Sequence, residues 1–218
     1  MRIYKTTKTV LSVSSNIEKF LPGITSNTLE APANAFLNIH GRIVATFDQV
    51  RIAEDQLLIC VESAYVEDLQ AHVRKYLILS GSTMETTDYV AYFDLDNEYS
   101  IAEDEYCIEQ SGGKLIISQK AIESNVSDEE FTGFRLDHNL AQQGLDYTNE
   151  MILNVSIDQF TSFTKGCYLG QEPVSKVYNR SKPSWRLEVK EVSECSAEEL
   201  KKMTSQVGAR GFVFVKNE

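Results

Sequence analysis

The chain has 218 residues, 42% of them hydrophobic, 24% charged and only four of them proline, which suits a core buried in one or two domains and excludes disorder, a collagen repeat and a coiled coil. Its 21 basic and 32 acidic residues leave a net charge of −11, so the surface as a whole repels nucleic acid and anionic membrane, and an anionic ligand needs a local basic patch. The longest apolar runs, such as Leu57 to Val61, fall far short of the roughly 20 residues of a membrane span.

The opening Met1 to Lys8 is basic and Thr-rich, lacks the apolar stretch of a secretion signal, and leads into Val10-Leu11-Ser12-Val13. It reads as a first strand, and the protein as cytoplasmic. Ile43 to Ile52 alternates, with Val44, Thr46, Asp48, Val50 and Ile52 on one side and Ile43, Ala45, Phe47 and Gln49 on the other. Glu54-Asp55-Gln56 turns it into Leu57 to Val61, an antiparallel hairpin. A helix follows with Ser63 as N-cap, a stripe of Val66, Leu69, Val73 and Leu77, and an end at Ser80-Gly81. Thr83 to Thr87, Tyr89 to Leu95 and Tyr106 to Glu109 read as strands, and Gly112-Gly113 turns the chain into Leu115-Ile116-Ile117.

Ser127-Asp128-Glu129-Glu130 has the form of a capping box, opening a helix that carries Phe131, Phe134 and His138, with Gly144 as its stop. An irregular stretch around Glu150 and a short segment Ile157 to Phe163 follow. From Lys165 to Lys190 there are six basic residues against two acids, a local balance of +4. This is the basic patch required above; it suits an anionic tail or an acidic partner face, or equally the exposed positions of barrel strands. Leu187-Glu188-Val189 and Phe212 to Val215, around a helix from Ala197 to Met203, suggest a small β-rich appendage.

Four cysteines (Cys60, Cys107, Cys167, Cys195) lie far apart without a CxxC pair, and three histidines do not cluster, so the spacing gives neither a zinc site nor a disulfide framework. Cys60, in an apolar strand, reads as a buried hydrophobe. Cys167 differs, because it sits between glycines with Lys165 two residues before it and Glu172 five after. If Gly166 opens a short helix, the helix N-terminus and Lys165 both favour the thiolate.

Lys165-Gly166-Cys167-Tyr168-Leu169-Gly170-Gln171-Glu172 resembles the KGCYxGQE signature of the YgfZ-type folate-binding proteins, relatives of the aminomethyltransferase (T-protein) of the glycine cleavage system. Val13 to Asn27 looks like that family's opening segment, Ala35 to Ile43 like its hairpin, and Arg135 to Leu140 like its weaker arginine segment. The resemblance implies an α+β fold of ferredoxin-like units around a central folate pocket (1–172), with a C-terminal β-barrel-like subdomain (173–218) that is abbreviated, since only 46 residues follow Glu172. It implies tetrahydrofolate or a derivative as ligand. The implied role is support of iron–sulfur cluster assembly or repair, including that of tRNA-modifying enzymes, with iron–sulfur assembly proteins or client enzymes as partners and Cys167 as the key thiol.

The same resemblance nominates the pocket residues. Where the aminomethyltransferases carry a carboxylate on the strand after the hairpin, this chain has Thr46, and a hydroxyl cannot stabilise a cationic amine as a carboxylate does. Asp48 reads as a solvated surface group that would substitute only under a shifted register. Asp137 falls at the position of a pterin-contacting acid, or is an exposed helix residue. Arg135 would reach a folate carboxylate, or serve as a surface salt-bridge partner. Glu150 and Asn154 correspond to a pocket-lining stretch, and Tyr168 reads as structural. Two other functions stay open: a folate-dependent aminomethyl- or methyltransferase, against which Thr46 argues, and a non-catalytic protein-binding module.

Overall fold

A long central strand organises the molecule. In the computed structural model, which describes residues 1–217, β1 (Ile3–Ser14) pairs on one side with β4 (Gln56–Glu62) and on the other with β5 (Thr83–Asp94). With β2 (Ala33–Leu37), β3 (Ile43–Ala53), β6 (Tyr106–Gln110) and β7 (Gly113–Ser118) they form a sheet ordered β2-β3-β4-β1-β5-β7-β6, every pair antiparallel.

Alternation along the strands buries both faces. Leu11, Val13, Leu57, Ile59 and Val61 pack with Phe36 and Phe47 under α1 (Ile17–Phe20) and α2 (Val66–Ser80), whose Leu69 and Val73 are buried. On the other face Val10, Leu58, Cys60, Phe93, Leu115 and Ile117 meet Phe131 and Phe134 of α3 (Asp128–Asp137). The sheet is curled as well as twisted. Five places separate β3 from β6 in strand order, yet the Gln110 side chain of β6 donates a 2.8 Å hydrogen bond to Asp48 of β3.

The C-terminal part is a three-stranded sheet, β8 (Trp185–Glu191), β10 (Arg210–Lys216) and β9 (Thr204–Val207), in that order, with α6 (Ala197–Lys202) between β8 and β9. Leu187 and Phe212 join a third core with Ala35, Leu37 and Ile43, closed by α4 (Ile152–Val155) and by α5 (Gln171–Lys176) through Val174.

Several expected boundaries move. Ser63 does not cap α2; it starts a 3-10 turn through Tyr65, and its hydroxyl donates to the Thr7 carbonyl. Thr83 to Asp94 is one strand rather than two. Ser127 does cap α3, accepting from the Glu130 amide, but the Glu130 carboxylate reaches across to Arg2, so the reciprocal half of the box is not made. The helix stops at Asp137, with Asn139 in the left-handed region, and Gly144 lies in a later turn closed by its N–H on Tyr147. The short segment Ile157 to Phe163 carries no regular element, and β9 lies where the sequence marks no strand.

The segment around Cys167 is a loop, and α5 begins only at Gln171, so no helix N-terminus faces the thiol. What fixes this loop is backbone proximity. Gly170 adopts φ +83°, and a Cβ there would sit 2.4 Å from the Asn38 carbonyl and 3.3 Å from the Gly41 Cα. Gly41, itself at φ +71°, would in turn drive a Cβ to 2.9 Å from Val174. The loop therefore lies directly on the β2–β3 turn, and only glycines permit it.

Gly170→Ala is expected to lower stability by about 2–3 kcal/mol through left-handed strain plus backbone overlap. Gly133→Ala, in the interior of α3 with nothing within 4 Å of the added carbon, should raise it by about 0.5–1 kcal/mol. Urea unfolding of both variants checks the pair.

Candidate functional site

The inner side of the curled sheet holds a cavity of about 70 Å³, with β1, β3, β4, β5, β6 and β7 on one side and α3 and the 140–147 loop on the other. At its centre is a group of charges. Lys8 Nζ lies 3.2 Å from Asp48 and 3.0 Å from Glu62, both carboxylates being largely buried. Sheet register explains the meeting: Lys8 is paired with Glu62 across β1 and β4, while Asp48 is paired with Cys60, two residues away along the same face of β4.

A bulge in β1 completes the arrangement. Between the pairs Lys5–Tyr92 and Thr9–Val90, β1 spends four residue steps where β5 spends two. Consecutive residues of a regular strand face opposite ways. Here the consecutive Thr7 and Lys8 both reach Glu62, Thr7 Oγ1 donating at 2.8 Å to one oxygen and Lys8 contacting the other.

Electrostatics follow from this geometry. Burial by itself disfavours the Lys8 ammonium, but Asp48 and Glu62 outweigh it and hold the lysine above its usual value. Burial likewise opposes the Glu62 carboxylate, yet Lys8, with the Thr7 and Gln142 side chains, keeps it below the usual carboxylate range. Burial and then Asp48 push the neighbouring Cys60 thiol up, so it stays protonated. One ammonium against two carboxylates leaves the group one negative charge in excess.

Around it the wall is amphipathic. Tyr4, Phe93, Phe131, Phe160 and Tyr147 supply ring surface. Thr46 donates to the Gln143 carbonyl oxygen and shares a 2.8 Å hydrogen bond with the Tyr147 hydroxyl. Gln143 is consumed by this role, accepting also from the Thr46 N–H and donating to the Val44 and Thr148 carbonyls.

Of the residues nominated from the sequence, Thr46 and Arg135 line the cavity. Arg135 is not a surface salt-bridge partner: it is 3% exposed. Its guanidinium donates to Asp146 at 2.6 Å, to the Leu140 carbonyl and to Ser205 of β9. Asp146 accepts in addition from the hydroxyls of Thr204 and Ser205, so this buried pair ties α3 to the C-terminal sheet.

Asp137 lies outside the cavity, ion-paired with Arg210. Glu150 accepts from the Thr148 N–H at 2.6 Å, and its carbonyl accepts from Ile43. Asn154 is half-buried on α4, away from the cavity wall. Asp48, read as solvated, is buried and faces the cavity, because the sheet curls over that face. Lys8, Glu62, Gln110 and Tyr147 escape the sequence reading; the signal for Glu62 is its place at the end of an apolar strand, and for Lys8 its even spacing from Val10, which faces the same side.

Cys167 is exposed and does not line the cavity. Its neighbour Lys165 turns inward, donating to the Thr25 and Asn27 carbonyls at 2.6 and 2.9 Å. Burial with no carboxylate nearby brings Lys165 down to about 8. Tyr168, also buried, is pushed up to about 12 by the same desolvation, and its ring lies 5.2 Å from Lys165 Nζ. Among the described residues no group of three or more His, Cys, Asp or Glu side chains is placed to hold a metal ion, and no helix is long and apolar enough to cross a membrane.

No protein-family model and no curated protein matches the sequence. Among solved structures, the glycine cleavage system aminomethyltransferase T from Bartonella henselae is similar, with a TM-score of 0.66 and 12% identity. The likeness covers 86% of this chain and 65% of that one, so the chain spans just under two thirds of that structure's length. At this identity the likeness shows a shared fold.

Lys8→Met leaves two buried carboxylates without their cation and is expected to cost about 3–5 kcal/mol at pH 7. Because Lys8 holds Glu62 below its ordinary value of 4.5, the Glu62 contribution is present above that value and is lost as pH falls through the lowered one. The gap between wild type and variant should therefore close in acid, as measured by urea unfolding at pH 7, 5 and 3.5. Lys165 has the opposite sign. With its value lowered from 10.5 to about 8, the unfolded chain holds the extra proton between those limits, so stability relative to Lys165→Met should rise with pH from about 8 to 10.5.

Proposed function

We propose that this cavity binds a folate-type ligand, tetrahydrofolate or a derivative. The observation that carries the reading is the Asp48–Lys8–Glu62 group on the wall of a ring-lined cavity. An amino-pyrimidine edge presents adjacent N–H donors, and an ionised carboxylate is the acceptor that pairs with them most strongly. Asp48 and Glu62 supply acceptors, Lys8 keeps Glu62 ionised, and Phe93, Phe131 and Tyr147 offer ring surface for a flat heterocycle. The cavity fits the donor chemistry of the ligand. It does not offer Arg135 to a glutamyl tail, since that guanidinium is spent on Asp146, Leu140 and Ser205. The likeness in fold to an aminomethyltransferase supports the reading, and the ring of ferredoxin-like units with a shortened C-terminal barrel belongs to it.

In this reading the chain is an accessory protein of iron–sulfur cluster assembly or repair, and Cys167 is its working thiol. That part rests on the resemblance of Lys165 to Glu172. Lying outside the cavity, an exposed Cys167 serves a protein partner, an iron–sulfur assembly protein or client enzyme, rather than the bound ligand.

One observation favours a second reading, a folate-dependent aminomethyl- or methyltransferase. Thr46 cannot hold a cationic amine, but Asp48, two residues on and facing the same cavity, can.

Calorimetric titration with tetrahydrofolate is expected to show binding that Asp48→Asn weakens roughly tenfold, the scale of one hydrogen bond to a charged group, and that Cys167→Ser leaves unchanged. In cells lacking the protein, wild type should restore the activity of an iron–sulfur tRNA methylthiotransferase and Cys167→Ser should not. Absence of binding would reject the folate reading. Turnover of an aminomethyl or methyl donor, together with full rescue by Cys167→Ser, would put the transferase in its place.

A further inference from the structure

The charged group has two sides: Glu62 and Thr7 also line a recess of about 330 Å³ beside α3, whereas Asp48 does not border that recess and is approached past Gln110. A wider recess of about 600 Å³, bordered by Glu109, Ser111, His138 and Asp158, adjoins the inner cavity of about 70 Å³. Gln110, Leu140 and Gln159 line both, so these three residues form the neck between them. Gln110 alone of the three also bonds the charged group, donating its amide N–H at 2.8 Å to Asp48 Oδ1. A carboxylate only accepts, so the amide must present its NH₂ end there.

Of the other donors, Gln142 of the 140–147 loop acts on Glu62, and Lys8 and Thr7 come from inside the sheet. Lys8 occupies Asp48 Oδ2 and Glu62 Oε1, and Thr7 occupies Glu62 Oε2. Lys8 and Thr7 are held by the bulged central strand. Gln110 is the last residue of β6, an edge strand, directly before the Ser111-Gly112 turn, and its side chain is partly exposed. Besides Gln142, the four oxygens are thus met by three side chains, Lys8 serving two of them, and of the three only Gln110 sits on an edge strand and stands at the neck.

We propose that Gln110 is a gate and a placeholder at the Asp48 end of the site: its amide occupies the donor position at Asp48 that the ligand's own N–H group takes, and engaging Asp48 requires the glutamine to swing out into the wider recess. The site then selects ligands that carry an N–H donor at their leading edge, because a ligand without one displaces the amide and leaves Asp48 unpaired. The gate deepens the folate reading but does not depend on it, since any donor-bearing heterocycle meets the same amide.

The test uses two probes, tetrahydrofolate and the small donor-only 2-aminopyrimidine, against wild type, Gln110→Ala and Gln110→Asn. Affinities come from calorimetry and association rates from stopped-flow tyrosine emission, with Tyr4 and Tyr147 as reporters on the wall. Gln110→Ala removes the competing donor, and Gln110→Asn, one methylene shorter, keeps an amide that no longer reaches Asp48. Both are expected to speed association and tighten binding three- to tenfold, whereas a merely structural glutamine would loosen binding when truncated. Gating of 2-aminopyrimidine with no tetrahydrofolate binding in any variant would keep the gate and reject the folate. Tetrahydrofolate binding that is unchanged or weakened in both variants would keep the folate and overturn the gate. If neither probe binds any variant, both readings fall.

Discussion

Lys8 is the residue on which the interior depends. Its ammonium lies between carboxylates from two other strands, and without it the inner face of β3 and β4 would carry two like charges with little water to screen them. The strand that delivers it is also the one with most of the sheet's pairing, flanked by β4 and β5. A bulge in that strand brings Thr7 beside Lys8 onto the same carboxylate. Stability and site cannot be separated here, because one cation supplies both.

A second buried charge pair does for the outer architecture what Lys8 does for the inner. Arg135 and Asp146 spend nearly all their hydrogen-bonding capacity on each other, on a loop carbonyl and on hydroxyls of β9. Arg135 thus lines the cavity without being free to act in it. The excess negative charge of the Lys8 group is left uncompensated, which favours neutral or cationic ligand edges over anionic ones.

Much of the scaffold was legible in the sequence because it follows local rules. The β3–β4 hairpin announces itself by period-two alternation, α3 by Ser127, and the end of α2 by Gly81, which does adopt the left-handed cap. What escaped depends on non-local geometry. Asp48 looks like a surface residue until the sheet curls, and Gln110 joins it only because β6 returns toward β3. Lys8 shares the inner face with Tyr4 and Val10, but its carboxylate partners come from β3 and β4, and it is Thr7 that departs from alternation to reach Glu62. Arg135 is buried by Asp146, a partner eleven positions away in an irregular loop. The stretch around Cys167 reads as reactive in the sequence, but packing explains its lysine and one of its glycines: Lys165 ties down two carbonyls and Gly170 rests on the β2–β3 turn.

The bulge at Thr6 to Lys8 also sets which changes of chain length the protein can accept. A strand with strict alternation suffers from any single insertion or deletion, since every residue beyond it changes face. In β1 the two residues in excess of β5 before Thr9 are matched by two in excess in β5 before Leu11, so facing is preserved across the irregularity and a single-residue change has nothing to absorb it. Removing one residue there would not ease the strand toward regularity; it would carry Lys8 to the face packed under α1 and α2, or shift Val10, Leu11 and Val13 between cores. Length variation in this fold is thus confined to its turns, and the start of β1 is fixed in residue count as strictly as in residue type.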